Sequence, residues 1–210
     1  MDRAIRHLTE VDPPLGALIE RVGELPERAY GYSDPYQALL FAISHQQLHA
    51  KAADAVLARL KEACAGALPL PADLQMLPDS ALRGFGFSAA KILALKDVAA
   101  KALDGTIPSY DDALTLSDDA LIARLTQIRG VGRWTVEMLL IFALKRPDIL
   151  PVDDFGVREG YRLLHALPEQ PKPKALAQRG LAYAPYRTLA AMYLWHRAGE
   201  AKQAMKTKRL

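Results

Sequence analysis

Residues 128–144 read IRGVGRWTVEMLLIFAL: two glycines, two arginines and a tryptophan at the mouth of an apolar block. Leu125-Thr126-Gln127-Ile128 reads as the end of one helix, Arg129-Gly130-Val131-Gly132 as a tight hairpin, and Arg133 onward as the start of the next helix. Glycine permits positive φ and lets a ligand approach the backbone. A helix that opens after such a turn presents free N–H groups and the positive end of its dipole, a site suited to phosphate. Thr135 can add a hydroxyl donor and Arg133 a charge; contacts of this kind hold a nucleic-acid backbone without reading its sequence. A plain structural turn fits the same residues. A dinucleotide fingerprint or P-loop does not, because there is no third glycine in register, no preceding strand and no Gly-Lys-Ser/Thr.

Working outward, the surrounding sequence is helical. Apolar residues recur at helical spacing in Leu39, Leu40 and Ile43; in Ala53, Val56, Leu57 and Leu60; and in Ile92, Leu95, Val98, Ala99 and Leu103, while alternating β-branched patterns are scarce. Prolines punctuate the chain at Asp34-Pro35, Leu70-Pro71, Leu77-Pro78, Ile107-Pro108, Arg146-Pro147 and through Pro168, Pro171 and Pro173. Ser109 and Ser117, each followed by paired aspartates, read as N-caps with acids in the first turn. The expectation is an all-α fold of about nine or ten helices. One echo is visible: Arg83-Gly84-Phe85-Gly86-Phe87-Ser88 before a helical run repeats the layout of residues 129–134, either as a second hairpin or as an unrelated tight turn.

A chain of 210 residues, half of them hydrophobic, can bury one good-sized core or two lobes. A net charge of +3 and the basic end AKQAMKTKRL lean toward polyanions. The single cysteine, Cys64, leaves no intramolecular disulfide, no four-cysteine zinc site and no iron–sulfur cluster ligated by four cysteines of this chain. No window supplies the roughly 18 to 20 apolar residues of a membrane span, and the first residues lack the apolar core of a secretion signal. These features point to a cytoplasmic protein, nucleoid-associated if bacterial, without a membrane partner.

The segment Leu125-x-x-Ile128-x-Gly130-Val131-Gly132-Arg133-Trp134-Thr135, followed about twenty residues later by Pro151-Val152-Asp153-Asp154-Phe155-Gly156-Val157-Arg158, resembles the helix-hairpin-helix (HhH-GPD) DNA glycosylase superfamily. Within it the likeness is to the bacterial 3-methyladenine DNA glycosylase II type. It extends from about Tyr36 to Trp195 and includes Ala42-Ile43-Ser44-His45-Gln46-Gln47-Leu48, Tyr183-Ala184-Pro185-Tyr186-Arg187 and Tyr193-Leu194-Trp195. The resemblance implies a single two-lobed helical glycosylase domain over residues 1–210, with a central lobe near 36–146, a second lobe from 1–35 plus 147–210, and the hairpin at 125–135. The residues before Tyr36 are too few for the small β domain that precedes the helical core in the longer bacterial enzyme. An aromatic which that part would add to the pocket must then be replaced or absent.

The implied chemistry is hydrolytic excision of alkylated bases, such as 3-methyladenine and 7-methylguanine, from double-stranded DNA by a monomer. Asp154 matches the catalytic acid, with Asp153 the rival one residue away. Its local reading is a helix N-cap, and the two roles are compatible because the helix dipole that favours the cap also favours an ionised carboxylate. A fixed anion beside the sugar stabilises an oxocarbenium-like state and can orient water. Trp134 stands where bifunctional relatives carry a nucleophilic lysine, so strand-cleaving lyase chemistry is not expected.

Trp134, Met138 and Trp195 match positions lining the base pocket, although both tryptophans also suit an ordinary core, and Met138 replaces a tyrosine. Aromatic faces favour a cationic alkylated base by about 0.5–2 kcal/mol. Gln47 matches the residue that fills the gap left by a flipped nucleotide, with Leu48 the alternative, itself readable as core. His45 and His49 read as exposed loop histidines. Gly130, Gly132, Arg133 and Thr135 are the expected phosphate contacts. No cofactor is required, but the family hairpin binds Na+ or K+ through backbone carbonyls, which fall at Thr126, Ile128 and Val131. A non-catalytic lesion-binding protein, or less favoured an oxidised-base glycosylase, are the competing readings.

Overall fold

The computed structural model describes residues 2–26 and 31–207; among these its regular secondary structure is all helix, with no strand. The last three residues of the basic end lie outside the described residues. In chain order the α-helices are α1 (Asp2–Val11), α2 (Pro13–Val22), α3 (Pro35–His45), α4 (Ala50–Ala63), α5 (Pro71–Met76), α6 (Asp79–Phe85), α7 (Ala89–Leu103), α8 (Tyr110–Thr115), α9 (Asp118–Leu125), α10 (Arg133–Met138), α11 (Phe155–Leu164), α12 (Pro173–Gly180) and α13 (Arg187–Thr207). These thirteen exceed the nine or ten that periodicity suggests, because six-residue elements such as α5 and α8 make fewer than two turns and show no repeating apolar face. The backbone divides into two compact units, Met1–Arg28 with Lys145–Leu210, and Ala29–Leu144.

In the unit spanning 29–144, α7 packs on α3 and α5. The periodic residues named above are its core: Leu39, Leu40, Ile43, Ala53, Val56, Leu57, Leu60, Ile92, Leu95, Val98 and Ala99 are all buried. Leu103 is the exception, exposed at the last position of α7, beyond the packed face. Helix starts follow from side-chain caps: Asp34 accepts from Gln37 N, Ser109 from Asp112 N and Ser117 from Ala120 N. The echo at 83–88 is a helix stop. Gly84 lies within α6, Gly86 is its left-handed C-cap (φ 104°), and Ser88 caps α7.

In the other unit, Leu8, Leu15, Leu18 and Ile19 pack with Val157, Tyr161, Leu176, Tyr183, Ala190, Ala191 and Leu194. α11 and α13 meet through Gly160, where a Cβ would lie 1.9 Å from the carbonyl oxygen of Leu194. Only a glycine allows that backbone contact. Buried Asp12 caps α2 through Leu15 N, accepts from the Tyr183 hydroxyl and lies 3.2 Å from His165 Nε2. Burial, together with the Asp12 bond, pushes the Tyr183 phenol far above its ordinary pKa. A described helix long and apolar enough to cross a membrane is absent.

Candidate active site

The hairpin forms because each part of it has a partner. Ile128 N donates to Leu125 O, Val131 N donates to Ile128 O at 3.1 Å, and Arg129 N donates to the Asp97 carboxylate of α7 at 2.7 Å. Gly130 adopts φ 77°, and a Cβ there would meet Ala94 Cβ at 3.0 Å, so both conformation and space call for glycine. Gly132 differs: it is the extended N-cap of α10 (φ −94°), with nothing within 4 Å of its would-be Cβ. Its missing side chain leaves the start of α10 uncovered. Beyond Met138 the helix continues as a π turn, Leu139–Ala143, in which Leu144 N reaches back to Leu139 O.

The remaining hairpin residues divide in role. Thr135 is buried, which sets its hydroxyl apart from the exposed surface, and Arg133 Nε donates to the buried Glu137 carboxylate one turn on at 2.9 Å. Sequence reading did not single out Glu137; its spacing of four from Arg133 on a helix was the available signal. Thr126, at the C-cap of α9, is exposed, while the side chains of Ile128 and Val131 are buried.

α3 ends at His45, and the turn that follows carries Gln46 and Gln47. Gln46 Nε2 donates to Gly130 O at 2.9 Å, joining this turn to the hairpin. Gln47 is exposed in the left-handed region at φ 54°. Leu48 is 42% exposed, which corrects its reading as a core residue. His45 is likewise not a free loop histidine. Its ring stacks on Phe41 at 3.9 Å, and its two nitrogens lie 2.9 Å from Phe41 O and from Asp54 Oδ1. His49 is the exposed N-cap of α4.

A largely apolar cavity of about 460 Å³ brings Gln47, Trp134 and Met138 together with Phe41, Ala42, His45 and Gln46. Trp134 is 44% exposed here and is not a core residue; Met138, also lining the cavity, is buried. Phe41 was missed because its place in the apolar run of α3 reads as core. It supplies the second aromatic of this cavity.

In the other unit Asp154 is the N-cap of α11. Its Oδ1 accepts from Val157 N at 2.8 Å and from the indole Nε1–H of Trp195 at 2.7 Å. Asp153 is exposed in the preceding turn. Trp195 is therefore bound to the carboxylate, a link that the sequence reading, which gave it only a stacking role, did not contain. The signal was present in Gly156-x-x-x-Gly160, small residues one turn apart that let another helix come close. Phe155, next to Asp154, is 68% exposed.

A helical chain whose two-glycine hairpin leaves a helix start open, and whose second unit holds an aspartate at a helix N-cap, has the build of a helix-hairpin-helix DNA repair protein. The chain belongs to the HhH-GPD superfamily of base excision DNA repair proteins, whose family model matches residues 40–185. It is 43% identical over 197 residues to DNA-3-methyladenine glycosylase 1 of Schizosaccharomyces pombe, covering 93% of this chain and 86% of that protein. Among solved structures, it is similar to the S. pombe 3-methyladenine DNA glycosylase in complex with abasic DNA (42% identity, TM-score 0.83, covering 92% of this chain and 95% of that one). It is also similar to a DNA-3-methyladenine glycosidase from Bacillus halodurans (34% identity, TM-score 0.86, covering 95% and 91%).

Proposed function

We propose that this protein is a DNA glycosylase that excises alkylated bases, 3-methyladenine and 7-methylguanine among them, from double-stranded DNA by hydrolysis. The observation that carries the reading is the Asp154 carboxylate, held at the N-cap of α11 by Val157 N and Trp195 Nε1 in a chain of this family. Breaking an N-glycosidic bond leaves positive charge on the sugar, and a carboxylate already fixed in place stabilises that charge without reorganising. Asp154 also serves to orient or deprotonate the attacking water. An alkylated purine is a cation and a good leaving group, so the reaction needs little general-acid help.

The hairpin contributes binding. Gly132 leaves the start of α10 open to a phosphate, and exposed Arg133 adds charge that Glu137 partly offsets. Backbone carbonyls are neutral oxygen donors that suit a monovalent cation, and Thr126, Ile128 and Val131 would hold it; when bound, it supplies positive charge toward a DNA phosphate. The apolar cavity with Trp134, Phe41 and Met138 suits a flipped base, and Gln47 on the exposed turn suits the gap left in the stack. With tryptophan at position 134, no lysine is offered there for a Schiff base.

The test is release of free methylated bases from methylated duplex DNA. The wild-type protein releases them, Asp154→Asn and Asp154→Ala do not, and borohydride traps no covalent protein–DNA adduct. Full activity in both variants would remove Asp154 from its role. Lesion binding without base release would favour a non-catalytic binding protein. Affinity for duplex DNA falls steeply with salt if several phosphates are neutralised.

A further inference from the structure

We propose that Trp195 is a positioning residue for Asp154, seated by a glycine notch on α11. The inference rests on the glycosylase reading above and deepens it, because resemblance gives Trp195 only the task of stacking on a base.

Three observations carry it. The indole N–H lies 2.7 Å from Asp154 Oδ1, a short contact for a nitrogen donor and a carboxylate. Indole has one donor and no acceptor, so the direction is fixed: Trp195 donates and Asp154 accepts. The N-cap bond from Val157 N at 2.8 Å reaches the same oxygen, so two donors from different helices, α11 and α13, converge on Oδ1. A carboxylate held by one bond can swing about it. Held by two non-collinear donors, its plane is set.

The notch explains how the ring gets there. Gly156 and Gly160 lie one turn apart on one face of α11. At Gly160 a Cβ would collide with the Leu194 backbone, and at Gly156 it would come within 2.8 Å of Trp195 Cδ1, 3.2 Å of Trp195 Nε1 and 3.1 Å of Asp154 Oδ1. Gly160 thus admits the backbone of α13, and Gly156 admits the ring of the next residue together with its bond. A side chain at 156 would occupy the place where donor and acceptor meet. This is a steric requirement, since Gly156 is not among the positive-φ glycines.

The experiment compares Trp195→Phe and Gly156→Ala in the full-length chain with the wild type. Single-turnover excision of 7-methylguanine, affinity for duplex DNA containing an abasic-site analogue, and Tm are measured for each. Trp195→Phe keeps an aromatic face and removes the donor; Gly156→Ala keeps both groups and pushes them apart. Misplacing a reacting group by about 1 Å costs on the order of 100-fold in rate, so each variant is expected to lose roughly 10- to 100-fold in the chemical step. Affinity for the abasic analogue stays within about twofold, and the double variant is no slower than the slower single one, because both changes break one bond.

A Trp195→Phe variant with wild-type rate would overturn the proposal and leave Trp195 as a stacking face. Effects of the two substitutions that multiply would overturn it as well. If Gly156→Ala lowers Tm strongly, Trp195→Phe alone decides. Failure of the glycosylase reading shows separately, as absence of base release by the wild-type protein.

Discussion

The side-chain amide of Gln46 donates to the carbonyl oxygen of Gly130 across 2.9 Å, linking the turn after α3 to the hairpin before α10. The turn presents Gln47 and the hairpin presents the open start of α10, so the bond fixes the spacing between a group suited to enter the base stack and a group suited to hold the backbone. Gln46→Ala removes one exposed, neutral hydrogen bond, worth about 1 kcal/mol, and base excision should fall several-fold with little change in Tm. Gln46→Glu should be worse than alanine, because a carboxylate facing a carbonyl sets two acceptors against each other. Single-turnover excision by the two variants checks the order; a glutamate variant as fast as wild type would contradict it.

Gln47 itself holds φ 54°, a conformation that a residue with a Cβ adopts at a cost of about 1–2 kcal/mol. Strain of this kind persists where the surroundings impose it and often marks a working position. Gln47→Gly relieves the strain but empties the tip of the turn. The protein should gain up to about 1 kcal/mol of stability while losing excision activity on duplex DNA. On single-stranded DNA carrying the same lesion, where no stack must be filled, the loss should be much smaller. Equal losses on the two substrates would separate Gln47 from base flipping.

The residues that were legible in the sequence are those whose role is local. Caps at Ser109 and Ser117, the apolar stripes of α3, α4 and α7, the turn at Gly130 and the cap at Asp154 follow from spacing within a few residues. What the sequence hid depends on tertiary pairing. Trp195 is 41 residues from Asp154, Gln46 is 84 from Gly130, and Arg129 N finds its acceptor 32 residues upstream at Asp97. Phe41 was hidden for another reason: within an apolar run, a residue facing a cavity looks the same as one facing the core. The paired glycines of α11 were the one such feature that left a trace in the linear pattern.

Two glycines of the same unit separate backbone contact from side-chain contact. A Cβ at Gly160 would meet the Leu194 carbonyl oxygen, carbon and Cα at 1.9, 2.5 and 2.9 Å, all backbone atoms of a long helix. At Gly180 it would meet only the end of the Leu150 side chain, at 2.2 Å, which can rotate away. Gly160→Ala should therefore cost at least the roughly 1–3 kcal/mol typical of overpacking, and should also slow excision by moving Trp195. Gly180→Ala should cost less than about 1 kcal/mol and leave activity unchanged. Thermal melts and excision rates measured together check both; equal Tm losses would mean that α13 yields as readily as a leucine side chain.

The Arg187 guanidinium grips the Asp148 carboxylate with Nε on Oδ1 at 2.7 Å and a terminal nitrogen on Oδ2 at 2.8 Å, and Arg187 N adds a bond to Oδ1 at 3.2 Å. Thr188 continues the clasp, donating its hydroxyl to Arg146 O and accepting from Ile149 N. The start of α13, which carries Trp195, is thereby tied to the segment that leads to Asp154. The hydrogen bonds from Arg187 hold the Asp148 carboxyl below its usual range. A carboxylate depressed in the folded state contributes stability above its unfolded pKa and loses it as pH falls through the folded value. Asp148→Asn should thus lower Tm between pH 6 and 8 by about 1–2 kcal/mol in stability, roughly 2–4 °C for each kcal/mol in a chain of this size. The gap between variant and wild type should narrow steadily below about pH 4, where the unfolded carboxyl takes up its proton. Melting curves for both proteins from pH 3 to 8 test this, and a gap independent of pH would mean that shape, and not charge, carries the clasp.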